Sequence, residues 1–139
     1  MSKRWLVKSN PAHYSFGDLD REKKAVWDGV TNNLALIHMR AMRKGDEVIV
    51  YATGDEKAAV GTATVASDPY PDPKLKDPKI VVVNLAPGKR LARPVTLAEM
   101  KADPKLKDFD LIRLPRLSVM PVSNAQWKRI LEIAASGRI

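Results

Sequence analysis

The stretch Gly45-Asp46-Glu47-Val48-Ile49-Val50-Tyr51, continued through Gly54-Asp55 into Ala58 to Ala66, decides the fold class. Gly45-Asp46 turns the chain into Glu47 to Tyr51, whose β-branched centre reads as a buried strand. Gly54-Asp55 turns it again. Ala58 to Ala66 alternates loosely between apolar residues and threonine, the pattern of a half-exposed strand. Working outward, Trp5-Leu6-Val7 is a short apolar run before the breaker Ser9-Asn10-Pro11 and reads as a buried strand ending near Lys8. Ile80 to Val83 is a β-branched strand, and Leu117 to Met120 a last strand stopped by Pro121. Successive strands with few long crossover helices predict an α+β fold, a small mixed but mostly antiparallel β-barrel or curled sheet flanked by short helices.

Those helices carry start signals. Ser15 with Asp18, Thr96 with Glu99 and Ser123 with Gln126 have the spacing of capping boxes. The first is expected to open a short charged helix over Asp18 to Val26. The second opens one that ends before Pro104. The third opens a final helix that buries Trp127, Ile130, Leu131 and Ala134 and ends at Gly137. Asn32 or Asn33 caps a further helix with Leu34, Ile37, Ala41 and Met42 near one face. The stretch Asp68 to Lys79 is expected to be one long surface loop.

Composition bounds the function. The chain has 139 residues, which suits a single domain over 1–139. It holds 24 Lys plus Arg against 16 Asp plus Glu, a net charge of +8. Such a surplus favours polyanionic partners, and it also keeps a small protein soluble. Cysteine is absent, which excludes a disulfide framework, a thiolate metal site and a cysteine nucleophile, and fits a reducing compartment. The N-terminal segment is basic but lacks the long apolar run of a signal peptide, and no stretch approaches the roughly 18 apolar residues of a membrane helix. A cytoplasmic protein with no membrane partner is expected.

Motifs of catalysis are sparse. His13 and His38 lie far apart and neither has a partner at ligand spacing, so no metal is expected. No Gly-rich phosphate loop precedes Lys-Ser or Lys-Thr, and no Gly-x-Ser-x-Gly elbow is present, so no cofactor is implied. Asp18, Asp20 and Glu22 read as the solvent face of a helix.

One set of strings is specific. Trp5-Leu6-Val7-Lys8-Ser9-Asn10-Pro11 is followed by Tyr14-Ser15 with Asp18-Leu19, Trp27-Asp28-Gly29-Val30-Thr31-Asn32, and Met42 with Gly45-Asp46. Then come Tyr51, Val60-Gly61, Tyr70-Pro71-Asp72-Pro73, Pro94 to Leu97, Arg116 to Val119 with Pro121, and Trp127. In this order, over nearly the whole length, the chain resembles EVE domain proteins, members of the PUA-like group related to the YTH readers. The resemblance implies a compact β-barrel with a pocket opening into a basic groove, reading modified bases, chiefly modified cytosines in DNA and also modified RNA. The chain departs from the family at several polar positions. The family usually has an acidic residue at Asn10, Arg at Thr31, an aromatic at Asn33, Gln at Leu34, His-Ser at Ala52-Thr53 and Gln at Met120.

Reading a base means taking it out of its stack into a slot with a flat π surface and polar groups for its edge. Trp27, followed by Asp28-Gly29, suits that surface; on its residue type alone it reads rather as a core indole at a helix end, and the resemblance turns the reading to the pocket. Asn32 offers a donor and an acceptor for a base edge, or caps a helix. Ser9, Tyr14, Val30 and Ser118 complete the expected base pocket, Ser9 and Tyr14 having plain alternatives as a turn residue and a packing ring. Lys8 and Arg116 are expected at phosphates, with a solvated strand end and an ion pair to Asp28 or Asp46 as their alternatives. Arg40, Arg43 and Lys44 form a basic cluster at a helix end that can follow a nucleic-acid backbone or simply complement the helix dipole. Met39, Met42 and Met120 read as core filler. The leading expectation is a non-catalytic module that binds nucleic acid and reads a flipped modified base. Two other readings are an RNA-binding module in translation or tRNA metabolism, and a small enzyme acting on a nucleotide-derived metabolite through a carboxylate such as Asp28.

Overall fold

The computed structural model describes residues 3–135. Its first strand is β1, Arg4–Ser9, in which Trp5, Leu6 and Val7 are all buried. Consecutive strand residues point to opposite faces, so three buried neighbours mean that both faces of β1 are covered. The chain then forms helix α1 (Phe16–Glu22), strand β2 (Ala25–Trp27), helix α2 (Asn33–Ala41), strand β3 (Glu47–Ala52), strand β4 (Ala58–Val65) and the two-residue strand β5 (Tyr70–Pro71). Strand β6 (Val81–Thr96), helices α3 (Leu97–Ala102) and α4 (Asp110–Arg113), strand β7 (Val119–Pro121) and helix α5 (Asn124–Ala135) complete it. The strands form one curled mixed sheet in the order β2-β6-β4-β3-β1-β7, with β5 paired to β6. β1 runs parallel to β3, and every other pairing is antiparallel. The sheet is a half-barrel: β2 and β7 stand at its two edges. Among the described residues no helix is long and apolar enough to cross a membrane.

Local chemistry explains most of these elements. Ser15 and Thr96 each accept from the N–H three residues on, and Asp18 and Glu99 accept in return from the cap N–H, so both capping boxes are closed. Ser123 and Gln126 exchange the same pair of bonds, at 3.0 and 3.1 Å. Met39, Met42 and Met120 are wholly buried in the core. The expected end of the last helix at Gly137 lies outside the described residues.

Four boundaries differ from the sequence reading. The first helix does not reach Val26: Lys23 adopts the left-handed conformation at φ 68 and ends α1, and Ala25–Trp27 pairs instead with Val83 to Leu85. Val26 is accordingly an exposed residue of an edge strand. β6 runs 16 residues rather than stopping near Val83. Pro87-Gly88 sit where the register against β4 shifts between Gly61 and Ala63, and the Thr62 hydroxyl accepts from the Lys89 N–H at 3.1 Å in the irregular stretch. β7 begins at Val119, because Leu117 N–H is held in a turn by the Leu114 carbonyl. Within Asp68 to Lys79, Tyr70 and Pro71 pair with Val81 and Val82.

Candidate nucleic-acid interface

The edge strand β2 faces a cavity of about 660 Å³ that reaches the end of β1 and the residue before β7. β2 and the following Asp28-Gly29-Val30 line one side, and Lys8, Ser9 and Ser118 line the other. Asn10, His13, Tyr14, Glu22 and Lys24 close the rim. On β2 the indole of Trp27 turns inward opposite Val83, while Val26, half exposed on the edge strand, lines the cavity as well. Trp27 is 9% exposed and belongs to the core, yet it forms part of the cavity wall. The core indole and the pocket wall are one and the same residue. Gly29, at φ +79 with nothing within 4 Å of its absent side chain, lets the backbone leave β2 along the rim.

Tyr14 meets Trp27 edge-on, with ring centres 6.1 Å apart and planes at 80°. Its hydroxyl donates to Glu22 Oε1 at 2.8 Å. Burial first, and then that neighbouring carboxylate, push the phenol up to about 12. The aromatic corner is thus held from both ends. Ser9 donates to the Tyr14 carbonyl, which leaves its hydroxyl oxygen free to accept. Lys8 Nζ donates to the Pro115 carbonyl at 2.7 Å and lies 5.9 Å from the centre of the Tyr51 ring. Burial lowers the pKa of this amine, and two of its three donor positions remain for a ligand.

Ser9, Tyr14, Trp27, Val30 and Ser118 therefore share one cavity with Lys8 on its wall. Asn32 and Arg116 do not line it. They line an adjoining groove of about 320 Å³ with Leu34, Arg113, Leu114, Pro115 and Leu117. Asn32 caps α2, its Oδ1 accepting from Ala35 N–H at 3.0 Å. Arg116 sits in the turn before β7 rather than on the strand. The ion pair expected as its alternative role is not formed: Asp28 faces Lys74 at 3.9 Å, and Asp46 accepts from the Trp5 indole and the Lys3 and Arg43 N–H groups. Among the described residues no carboxylate pairs with Arg116.

Arg40, Arg43 and Lys44 are elsewhere. Lys44 precedes Glu47, which pairs with Arg4, whereas the cavity lies by Ser9 at the other end of the same two strands. Arg40 grips the Lys79 carbonyl at 2.8 Å, and Arg43 donates to the carbonyls of Arg40 and Met42 at the end of α2. The sequence reading did not single out Asn10, His13, Glu22 or Lys24 as lining residues; no local pattern marks them, because the turn after β1 and the end of α1 meet only in three dimensions. Asp28 was legible as part of the Trp-Asp-Gly string. Among the described residues no group of three or more His, Asp or Glu side chains is placed to hold a metal ion.

A curled mixed half-barrel with short helices and an aromatic-cornered cavity defines a domain of the curled-sheet α+β class. The family model of the EVE domain matches residues 3–133, and the chain belongs to that family. The resemblance noted in the sequence is thereby established. Human thymocyte nuclear protein 1 is 27% identical over 167 aligned positions, covering 96% of this chain and 74% of the relative. The solution structure of Rpa0253 from Rhodopseudomonas palustris is 37% identical, covers 99% of this chain and 96% of its own, and superposes with a TM-score of 0.92. Human THYN1, solved in complex with DNA containing 5-methylcytosine, is 26% identical with a TM-score of 0.91, covering 99% of this chain and all (100%) of that one. An ASCH structure from Zymomonas mobilis, at 10% identity and a TM-score of 0.60, shares the fold alone.

Proposed function

We propose that this chain is a non-catalytic DNA-binding module that takes a modified cytosine, extruded from its stack, into the cavity beside Trp27. The observation that carries the reading is the likeness, over 99% of the chain, to a protein solved with 5-methylcytosine DNA. The cavity supplies a compatible place. In this reading the indole of Trp27 and the ring of Tyr14 form an apolar corner for the base and its methyl group. The Asp28 and Glu22 carboxylates, both on the lining, accept from the exocyclic amine that distinguishes cytosine. The Ser9 and Ser118 hydroxyls serve the remaining edge. Lys8 and the unpaired Arg116 hold phosphates on either side. Asn32 stands one groove away and contacts a flanking nucleotide rather than the base itself.

Binding of matched oligonucleotides with and without 5-methylcytosine, at two salt concentrations, tests this. The modified strand is expected to bind tighter at both. Trp27→Phe preserves core packing and should keep part of that preference. Trp27→Ala should remove it, a loss on the order of tenfold or more if stacking has its usual strength of about 1–3 kcal/mol. Equal affinity for modified and unmodified strands would leave only generic electrostatics and end the proposal. An RNA competitor carrying the same base that binds more tightly than the DNA would move the reading to RNA.

A further inference from the structure

The loop between β5 and β6 carries Lys74-Leu75-Lys76 at its tip, and the tip reaches the lip of the cavity. Lys74 Nζ lies 3.9 Å from Asp28 Oδ2, and Asp28 lines the cavity. Leu75 is 49% exposed between its two exposed lysines.

The loop is braced. Asp72 is buried, its Oδ1 accepting from Lys74 N–H at 2.9 Å and its carbonyl from Leu75 N–H at 3.0 Å. Asp72 N–H in turn donates to the Ile80 carbonyl at 3.0 Å, closing the loop at its base. At the far side Asp77 accepts from Lys79 N–H, and Arg40 grips the Lys79 carbonyl. Both acidic groups of the loop accept from its own backbone, while the ammonium groups of Lys74 and Lys76 reach outward, Lys74 toward Asp28. A half-exposed leucine on a braced turn contributes little to the core, and its neighbour Lys74 reaches the Asp28 side of the cavity.

We infer that Leu75 is a wedge that enters the base stack of duplex DNA when the neighbouring base leaves it, with Lys74 and Lys76 on the flanking phosphates. Apolar side chains, leucine among them, serve this purpose where proteins unstack a base step, and extrusion from a paired duplex is costly without a replacement in the gap. The inference rests on the proposed function, since it needs an extruded base. It adds that the partner is double-stranded and names the residue that replaces the base. Asp28, freed from Lys74 when that lysine turns to phosphate, becomes available to the base amine.

The test compares the full chain and its Leu75→Ala and Leu75→Met variants on three probes. They are a duplex with one central 5-methylcytosine opposite guanine, the same strand alone, and a duplex in which that base faces an abasic site. Leu75→Ala should weaken binding to the paired duplex about tenfold or more and leave the other two within about twofold. Leu75→Met, which keeps an apolar wedge, should restore the duplex. An equal loss on all three probes, or no loss on the paired duplex, overturns the wedge while the wild type's preference for the modified base still stands. A wild type with no such preference overturns the base-reading proposal and the wedge together.

Discussion

Gly61 has no room for a side chain. A Cβ there would lie 2.5 Å from two atoms of the Phe16 ring, and Arg90 stacks on that ring at 5.1 Å. The first residue of α1 is thus pressed onto the backbone of β4, which positions α1 and with it Glu22 at the cavity rim. Gly61→Ala should destabilise the fold by about 1–3 kcal/mol through overpacking, measured by urea unfolding. Gly61→Ala combined with Phe16→Leu should recover part of that loss; a purely additive double variant would show that the ring is not what fills the space. Sequence marked Gly61 only as part of a family string. Its reason is a contact across 45 positions that periodicity does not carry.

Helix starts are the most readable elements, and they are also where function and structure separate. Asn32 satisfied both of its sequence readings on paper, but its carbonyl oxygen is committed to Ala35 N–H. Asn32→Ala should lower stability by about 1 kcal/mol, while Asn32→Asp, which caps as well, should not. Preference for the modified base is expected to survive Asn32→Asp, since the side chain lies outside the cavity. Loss of preference in that variant, measured on the matched oligonucleotides, would put Asn32 back on the base edge. At the start of α3, Glu99 is held to about 2 first by Arg93, at 2.7 and 2.9 Å, and then by the Thr96 N–H. A carboxylate depressed in the folded state stabilises it above the group's ordinary value of 4.5. That contribution is lost as pH falls toward about 2. Acid unfolding should therefore begin at higher pH in the wild type than its neutral-pH stability alone suggests, and Glu99→Gln, less stable at pH 7, should have a flatter stability profile across that window. Circular dichroism over a pH series reads both.

At the scale of the molecule, charge is distributed unevenly relative to the cavity. Lys8 and Arg116 stand beside it and its neighbouring groove, while Arg43 and Lys44 stand at the opposite end of the sheet. Affinity for the 5-methylcytosine strand should fall with salt, and Arg116→Ala should reduce the slope of log affinity against log salt by about 1. Lys44→Ala is expected to leave that slope unchanged. A larger effect at Lys44 than at Arg116 in the same titration would move the phosphate track to the far end of the molecule.

The strands Trp5 to Val7 and Glu47 to Tyr51, three capping boxes and the buried methionines follow from the sequence alone, because each is a local pattern of burial or hydrogen bonding between near neighbours. The ends of α1 and β6 do not: a left-handed Lys23 and a bulge opposite Gly61 depend on the strand that pairs there. The parallel pairing of β1 with β3, the open edges at β2 and β7, and the scattering of the expected site residues over two neighbouring cavities and the far end of the sheet were decided by tertiary structure. Those features arise where segments distant in the chain come together, and the free energy that selects them belongs to their packing and pairing rather than to any one segment.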